Sequence, residues 1–148
     1  MRVGIVRVGE TKFGKLSDSS ARELVTDAFK EALEDAGLAR KDISALIACS
    51  GSNYDKQRSP AEIVAEYLRM NPIPTFDVEA ACASSGVGVR VGWSMIESGL
   101  HGIVGVVGFQ KMTELDASAV EDVMSRSGDV MREAPFGPTM PAYYAMYA

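Results

Sequence analysis

The sequence PTFDVEAACASSGVGVRVGWSMIESG, residues 74–99, decides the fold because it joins a predicted strand directly to a predicted helix. Cys82 lies at the junction of the two elements. There the free N–H groups and the partial positive charge of a helix N-terminus favour the thiolate over the thiol. The stretch therefore predicts a nucleophilic cysteine. Position alone leaves one alternative open, in which Cys82 is a buried, purely structural residue.

The predicted helix after Cys82 is apolar on every side and contains Gly86, Gly88 and Gly92. A helix that is apolar all round is buried all round, and close packing offsets the cost of its glycines. We therefore expect this helix to lie between two layers, of which only one, a sheet, is evident in the sequence. Its glycine spacing, G-x-G-x-x-x-G, differs from the dinucleotide-binding fingerprint and lies inside the helix, which excludes a dinucleotide loop.

Strands and helices alternate on both sides of this stretch. Further strands are predicted over residues 1–9, 43–51 and 101–109, helices over 20–36 and from Ser59 to before Asn71, and a polar loop over 52–58. Ser20 with Glu23, and Ser59 with Glu62, form predicted capping boxes. The alternation predicts an α/β protein with a mixed, mostly parallel sheet that helices cover on both faces.

Residues 113–140 break this pattern because they are acidic and rich in methionine and small residues, without a clear strand. We expect an excursion away from the sheet there. Pro141 predicts the start of another helix, which the chain enters for only one or two turns. The end of the chain is therefore expected to be truncated.

Composition excludes several classes of protein. The 148 residues suffice for one domain, and 20 acidic against 15 basic residues, with a pI near 4.9, argue against nucleic acid as a partner. Two cysteines are too few for a disulfide framework, and we expect Cys49, at the end of a buried strand, to be structural. The N-terminus resembles neither a signal peptide nor a spanning helix, so we expect a cytoplasmic protein without a membrane partner.

The segments VEAACASSG (78–86) and VGFQKM (107–112) together resemble the active-site region of thiolases, most closely the archaeal and sterol-carrier-protein-x type of acetyl-CoA acetyltransferase. The resemblance continues through VGIVRVGETKFGK (3–15) and SALIACSG (44–51). It implies a thiolase-like fold in which residues 1–112 form an N-terminal βαβαβ half without its last strand. Residues 113–148 would be the truncated start of the cap, or loop, domain, and the helix after Cys82 would be the central helix of a five-layered molecule.

The resemblance also implies a reaction. Cys82 would take an acyl group from a coenzyme A thioester, and its backbone N–H would contribute to an oxyanion hole. No bound cofactor and no metal are implied, and coenzyme A thioesters enter as substrates. Gln110, Lys111 and Met112 follow the last predicted strand, where ligand-facing residues of α/β sheets collect, although they are equally suited to positioning the cap. A homodimer or tetramer is implied, with residues 74–81 at the interface.

The sequence departs from the family because thiolases are considerably longer. Their second half supplies a histidine, another cysteine and a second oxyanion hole, and none of these motifs occurs here. His101 lies about 24 Å from Cys82 along the predicted helix and is expected to be a surface residue, not the base. Asp77 and Glu79 share one face of their strand, where we expect solvent or dimer contacts.

We therefore expect the isolated chain to be inactive, with a C-terminal half on the same gene product or on a separate chain. Two alternatives stay open. One is a related condensing enzyme of the hydroxymethylglutaryl-CoA synthase or ketoacyl synthase type. The other is a catalytically silent module that assembles with partner subunits, such as hydroxymethylglutaryl-CoA synthase or an OB-fold scaffold protein.

Overall fold

The computed structural model of the chain describes residues 2–51 and 59–148, so the predicted polar loop over 52–58 lies outside the described residues. The chain divides into two compact units, one up to Gln110 and one from Lys111 to Ala148. The assignment of residues 113–148 to a cap domain stays a prediction.

The first unit is a three-stranded sheet with helices on both faces. Its elements are α1 (Ala21–Ala36), β1 (Ala45–Cys49), α2 (Pro60–Tyr67), β2 (Thr75–Val78), α3 (Ser84–Glu97) and β3 (Val104–Gly108). The strand order is β2-β1-β3, and β1 pairs in parallel with both neighbours. The predicted α/β class is confirmed. In the described part of the chain every strand is parallel, so the antiparallel component of the predicted mixed sheet is not seen.

The central strand β1 is buried along its whole length because helices cover both of its faces. Leu46 and Ala48 belong to the hydrophobic core that also contains side chains of α1 and α2. Ile47 and Cys49 point to the other face, where they lie against the glycines of α3. The alternation of side chains along one strand therefore places α3 opposite α1 and α2, as the predicted arrangement requires.

The caps of α1 form as predicted. The backbone N–H of Glu23 donates to Ser20 Oγ at 3.3 Å, and the Glu23 carboxylate accepts the Ser20 backbone N–H at 2.7 Å. Gly37 ends the helix in the left-handed conformation, with a φ of 65°. Each contact joins residues within the helix or next to it, so local sequence was enough to predict them.

The strand predicted over residues 1–9 is wrong. Residues 2–9 have no regular secondary structure, and Ile5 and Val8 are each 75% exposed. The segment instead contacts α1, where Arg7 Nε lies 2.7 Å from Asp35 Oδ2 and Gly9 packs on the helix backbone near Ala28. Since β1 already has a strand on each side, the segment does not enter the centre of the sheet.

The capping box predicted at Ser59 is also wrong, although α2 begins at Pro60 as predicted. A capping side chain reaches the helix amides when its own backbone is extended. Ser59 has a φ of 49° and its side chain makes no capping hydrogen bond. Asp77 of β2 takes its place, since Asp77 Oδ1 accepts the backbone N–H of Ala61 at 2.8 Å.

The second unit is helical in its described elements, which are α4 (Ala117–Ser125), α5 (Met140–Tyr147) and two 3-10 turns, Met112–Glu114 and Ala134–Phe136. Asp116 caps α4 by accepting the backbone N–H of Ala119 at 2.8 Å. The helix predicted near Pro141 is confirmed. Across the described residues of both units, no helix combines the length and the apolar character that a membrane span needs.

Candidate active site

Cys82 lies on the turn that joins β2 to α3. A 3-10 turn spans Ala81–Ala83, α3 begins at Ser84, and Cys82 is exposed. The structure therefore places Cys82 at the predicted junction, two residues before the helix. The turn presents the thiol to solvent just before the N-terminus of α3, a position that suits a nucleophile.

The turn that carries Cys82 is held in an unusual backbone conformation. Ala81 has a φ of 46°, in the left-handed region that residues with a β-carbon rarely adopt. The hydroxyl of Ser84 joins the two residues before Cys82, because Ser84 Oγ accepts the backbone N–H of Ala80 at 2.9 Å and donates to Ala81 O at 2.7 Å. Ser84 is buried. Sequence analysis missed this contact, since the only signal was a serine at the start of a helix.

Cys49 lies beneath α3 and is structural, in keeping with its predicted role. A β-carbon on Gly88 would collide with Cys49 Sγ, so the two residues are in direct contact. Burial raises the pKa of the Cys49 thiol above its ordinary value, which keeps the group protonated and unreactive at neutral pH. Of the two cysteines, Cys82 is therefore the one suited to react.

The carboxyl ends of the three parallel strands meet at the edge of the sheet where Cys82 lies. Gln110, which follows β3, accepts the backbone N–H of Gly51 at 3.0 Å through its side-chain oxygen. The backbone N–H of Phe109 donates to Cys49 O at 3.2 Å. Gln110 thus ties the residues that follow β1 to those that follow β3, on the edge where open α/β sheets bind ligands.

The other two candidate substrate residues belong to the second unit. The ammonium of Lys111 pairs with the carboxylate of Glu114 there, and Met112 begins the following 3-10 turn. The role of Gln110, Lys111 and Met112 in substrate binding stays a prediction.

His101 lies at the end of the sheet opposite to Cys82, where the strands have their amino ends, and it comes just before β3. Its Nδ1 is 3.1 Å from Ser44 O, and Ser44 Oγ in turn donates to Ile103 O at 2.8 Å. His101 lies at the entry to β3 as predicted, but it is half-buried and hydrogen-bonded, and so less exposed than the surface residue expected. This arrangement joins β3 to the residue before β1 and keeps His101 away from Cys82.

Asp77 is exposed, in keeping with the predicted solvent contact, and in addition it caps α2. Burial raises the pKa of its carboxyl group, the Ala61 N–H that it accepts lowers this pKa, and the nearby Glu62 carboxylate raises it again. Nothing in the local sequence indicated this role, because Asp77 and Ala61 lie on different elements.

One face of α3 packs on the sheet and the opposite face is open. Ser84, Gly88 and Gly92 are buried, whereas Val89 and Trp93 are 42% and 41% exposed. The first of the two expected layers around α3 is therefore confirmed, and the described residues of the first unit form no second layer. Within those same residues, no group of His, Cys, Asp and Glu side chains is arranged to hold a metal ion.

A model of the thiolase N-terminal domain matches residues 3–139 of the chain. The acetyl-CoA acetyltransferase of Methanothermobacter thermautotrophicus is 38% identical over 148 residues, which cover 99% of this chain and 38% of that protein. The acetyl-CoA acetyltransferase of Methanocaldococcus jannaschii is 39% identical over 149 residues, which cover 99% of this chain and 37% of that protein. The chain therefore spans well under half the length of these curated relatives.

Solved structures show the same fold. The crystal structure of 3-oxoacyl-[acyl-carrier-protein] synthase III from Aquifex aeolicus matches with a TM-score of 0.61 and 28% sequence identity. The match covers 68% of this chain and 34% of that chain.

Proposed function

We propose, because this chain belongs to the family of thiolase N-terminal domains, that Cys82 accepts an acyl group from a coenzyme A thioester. The observation that carries the proposal is the exposed Cys82 on the turn before α3, in a chain that matches the family over residues 3–139. The two archaeal relatives named as acetyl-CoA acetyltransferases point to acetyl-CoA and acetoacetyl-CoA as the substrate class.

The proposed transfer proceeds through a thioester on Cys82. The thiol gives its proton to a base, and the thiolate attacks the acyl carbonyl carbon of acetyl-CoA. A new C–S bond forms to Cys82 while the C–S bond to coenzyme A breaks, and the departing coenzyme A thiolate takes up a proton. Negative charge develops on the carbonyl oxygen during this step, where the Cys82 backbone N–H can donate a hydrogen bond.

The acetyl group then passes to a second nucleophile. In the synthetic direction a base removes a proton from the α-carbon of another acetyl-CoA, and the resulting carbanion attacks the carbonyl carbon of the acetylated Cys82. The new C–C bond of acetoacetyl-CoA forms, the C–S bond to Cys82 breaks, and the Cys82 thiolate takes up a proton. In the degradative direction the steps reverse, and the thiol of free coenzyme A releases the acyl group from Cys82.

This chemistry needs a base within hydrogen-bond reach of the Cys82 sulfur. His101, the one histidine of the sequence, lies at the opposite edge of the sheet. We therefore propose that the base and the further acid/base groups come from residues outside these 148, either on the same gene product or on a second polypeptide that packs on the open face of α3.

The test is thiolysis of acetoacetyl-CoA, measured from its absorbance, by the chain alone and by the chain mixed with the remaining portion of the Methanothermobacter thermautotrophicus relative. We expect turnover only in the mixture, and we expect Cys82→Ala to abolish it. Cys49→Ala is the matched control, since it removes the buried thiol, and it should keep turnover in the mixture. Equal turnover with Cys82→Ala would overturn the proposal.

A second readout detects the acyl-enzyme directly. Incubation of the mixture with acetyl-CoA, followed by intact-mass measurement and peptide mapping, should find one acetyl group on the peptide that contains Cys82. Acetylation of Cys49 would count against Cys82 as the nucleophile. So would acetylation of lysines in Cys82→Ala at the rate at which the wild-type chain is acetylated.

A synthase acting on acyl carrier protein is a second candidate, favoured by the structural match to 3-oxoacyl-[acyl-carrier-protein] synthase III. The same assay separates the two, because acetyl-CoA and a malonyl-acyl carrier protein can be offered in parallel to the mixture. Condensation with the carrier protein, and no thiolysis of acetoacetyl-CoA, would favour the synthase. A mixture that assembles without either activity would favour a silent assembly module.

A further inference from the structure

We infer that Ser84 is a positioning residue that orients the backbone N–H of Cys82 toward the oxygen of the reacting acyl group. The inference rests on the proposed function, since it assumes that Cys82 is acylated. It adds that the side chain of Ser84, two residues after Cys82, fixes the direction of the N–H that donates to the oxyanion.

The geometry of the peptide group between Ala81 and Cys82 carries the argument. A trans peptide is planar, so its C=O and N–H point in opposite directions and turn together. Ser84 Oγ donates to Ala81 O at 2.7 Å, and the backbone N–H of Ser84 donates to the same oxygen. Holding the oxygen on the side of Ser84 therefore holds the Cys82 N–H on the opposite side, away from this buried residue.

The strained backbone of the turn explains why a side chain is needed for this. Ala81 has a φ of 46°, a conformation that costs an alanine free energy and persists only where other contacts hold it. The Ser84 hydroxyl supplies two such contacts, because it also accepts the backbone N–H of Ala80 at 2.9 Å. Without the hydroxyl, the backbone N–H of Ser84 alone holds Ala81 O, so the plane of the peptide between Ala81 and Cys82 and the direction of the Cys82 N–H are less firmly fixed.

The test compares two reactions of the same thiol in the 148-residue chain. In acetyl transfer from p-nitrophenyl acetate, the Cys82 sulfur adds to the carbonyl carbon and forms a tetrahedral oxyanion. Collapse of the oxyanion then breaks the ester C–O bond and releases p-nitrophenolate. Alkylation by iodoacetamide displaces iodide at a saturated carbon and forms no oxyanion. An oriented N–H accelerates only the acyl transfer, so the ratio of the two rates reports on the orientation of this donor and not on the exposure of the thiol.

We expect Ser84→Ala to slow acetylation of Cys82 by about tenfold, less than the full loss of an oxyanion donor, and to change alkylation by less than about twofold. Ser84→Thr keeps the hydroxyl and should restore acetylation. The matched control is Ser98→Ala, because Ser98 Oγ donates to Met95 O at 2.9 Å in the same way at the other end of α3. This variant should change neither rate.

Cys82→Ala gives the background rate, and circular dichroism checks the fold of each variant. If Ser84→Ala does not fold, the double variant Ala81→Gly/Ser84→Ala is measured, because glycine adopts the left-handed conformation without strain. Equal slowing of both reactions, or slowing by Ser98→Ala as well, would overturn the inference and leave Cys82 as the nucleophile. A wild-type chain that is acetylated no faster than Cys82→Ala would overturn the proposed function and, with it, the role of Ser84.

Discussion

Gly88 shows how one residue determines the distance between α3 and the sheet. A β-carbon at this position would collide with Cys49 Sγ and would also approach Val106 of β3. We expect Gly88→Ala to lower the free energy of unfolding by roughly 2 kcal/mol, because overpacking a buried contact forces side chains or backbone to move. Urea unfolding followed by circular dichroism measures the change.

Two further variants test that cause. Cys49→Ala removes the sulfur that the new methyl group meets, so the double variant Gly88→Ala/Cys49→Ala should lose less stability than the two single changes sum to. Gly86→Ala is the matched control on the same helix, because no atom lies within 4 Å of its β-carbon position. It should be neutral or stabilising by up to about 1 kcal/mol. Equal destabilisation at both glycines would contradict this explanation.

At the level of elements, α2 depends on β2 for its N-terminal cap. Asp77→Ala removes the acceptor of the Ala61 N–H and should cost about 1 kcal/mol, as expected for a lost cap. Asp77→Asn keeps a side-chain oxygen at the same position and should retain most of that stability. Ser59→Ala is the control, since Ser59 makes no capping hydrogen bond, and it should have little effect in the same urea titration.

The pH dependence of this cap has a defined sign. Burial, the largest effect on Asp77, raises the pKa of its carboxyl group in the folded chain above 3.8. The folded state therefore binds this proton more tightly than the unfolded state does. Protonation of Asp77 contributes its whole stabilisation below the unfolded pKa, and this contribution is lost as pH rises through the folded pKa. We expect Asp77→Asn to gain stability relative to wild type as pH rises through this carboxylate range. If Asp77→Asn instead gains stability relative to wild type as pH falls, the ionised Asp77 carboxylate is the more stabilising form of the cap.

The elements also show which parts of the fold a sequence can predict. The ends of α1 were predictable because Ser20, Glu23 and Gly37 act on the helix that they flank. The cap of α2 was not, because Asp77 reaches it from another strand. Residues 2–9 were misassigned because alternating apolar residues indicate only that a face can be buried, whereas the segment contacts α1 without pairing with a strand.

In the candidate site, too, the sequence predicted some features and not others. The position of Cys82 followed from its place between a predicted strand and a predicted helix, and the structural role of Cys49 followed from its place in a buried strand. The left-handed Ala81 and the contacts of Ser84 depend on backbone dihedral angles, which a run of small residues does not specify.

For the molecule as a whole, the first unit carries large apolar side chains that are exposed. The open face of α3 exposes Val89 and Trp93, and β2 is an edge strand on which Phe76 is 41% exposed. Clustered apolar side chains and open sheet edges favour association with another chain. We therefore expect the isolated chain to form dimers or larger species in sedimentation velocity and to bind a dye that reports exposed apolar surface.

Charge placed on α3 should weaken this association. Trp93→Lys puts an ammonium in the centre of the open face and should shift the chain toward monomer and reduce dye binding. Leu100→Lys is the control, because Leu100 is 76% exposed but lies beyond the end of α3. If both variants dissociate equally, association does not depend on the face of α3. A wild-type chain that is monomeric and does not bind the dye would show that this face is compatible with water, and the argument that α3 needs a second layer would fail.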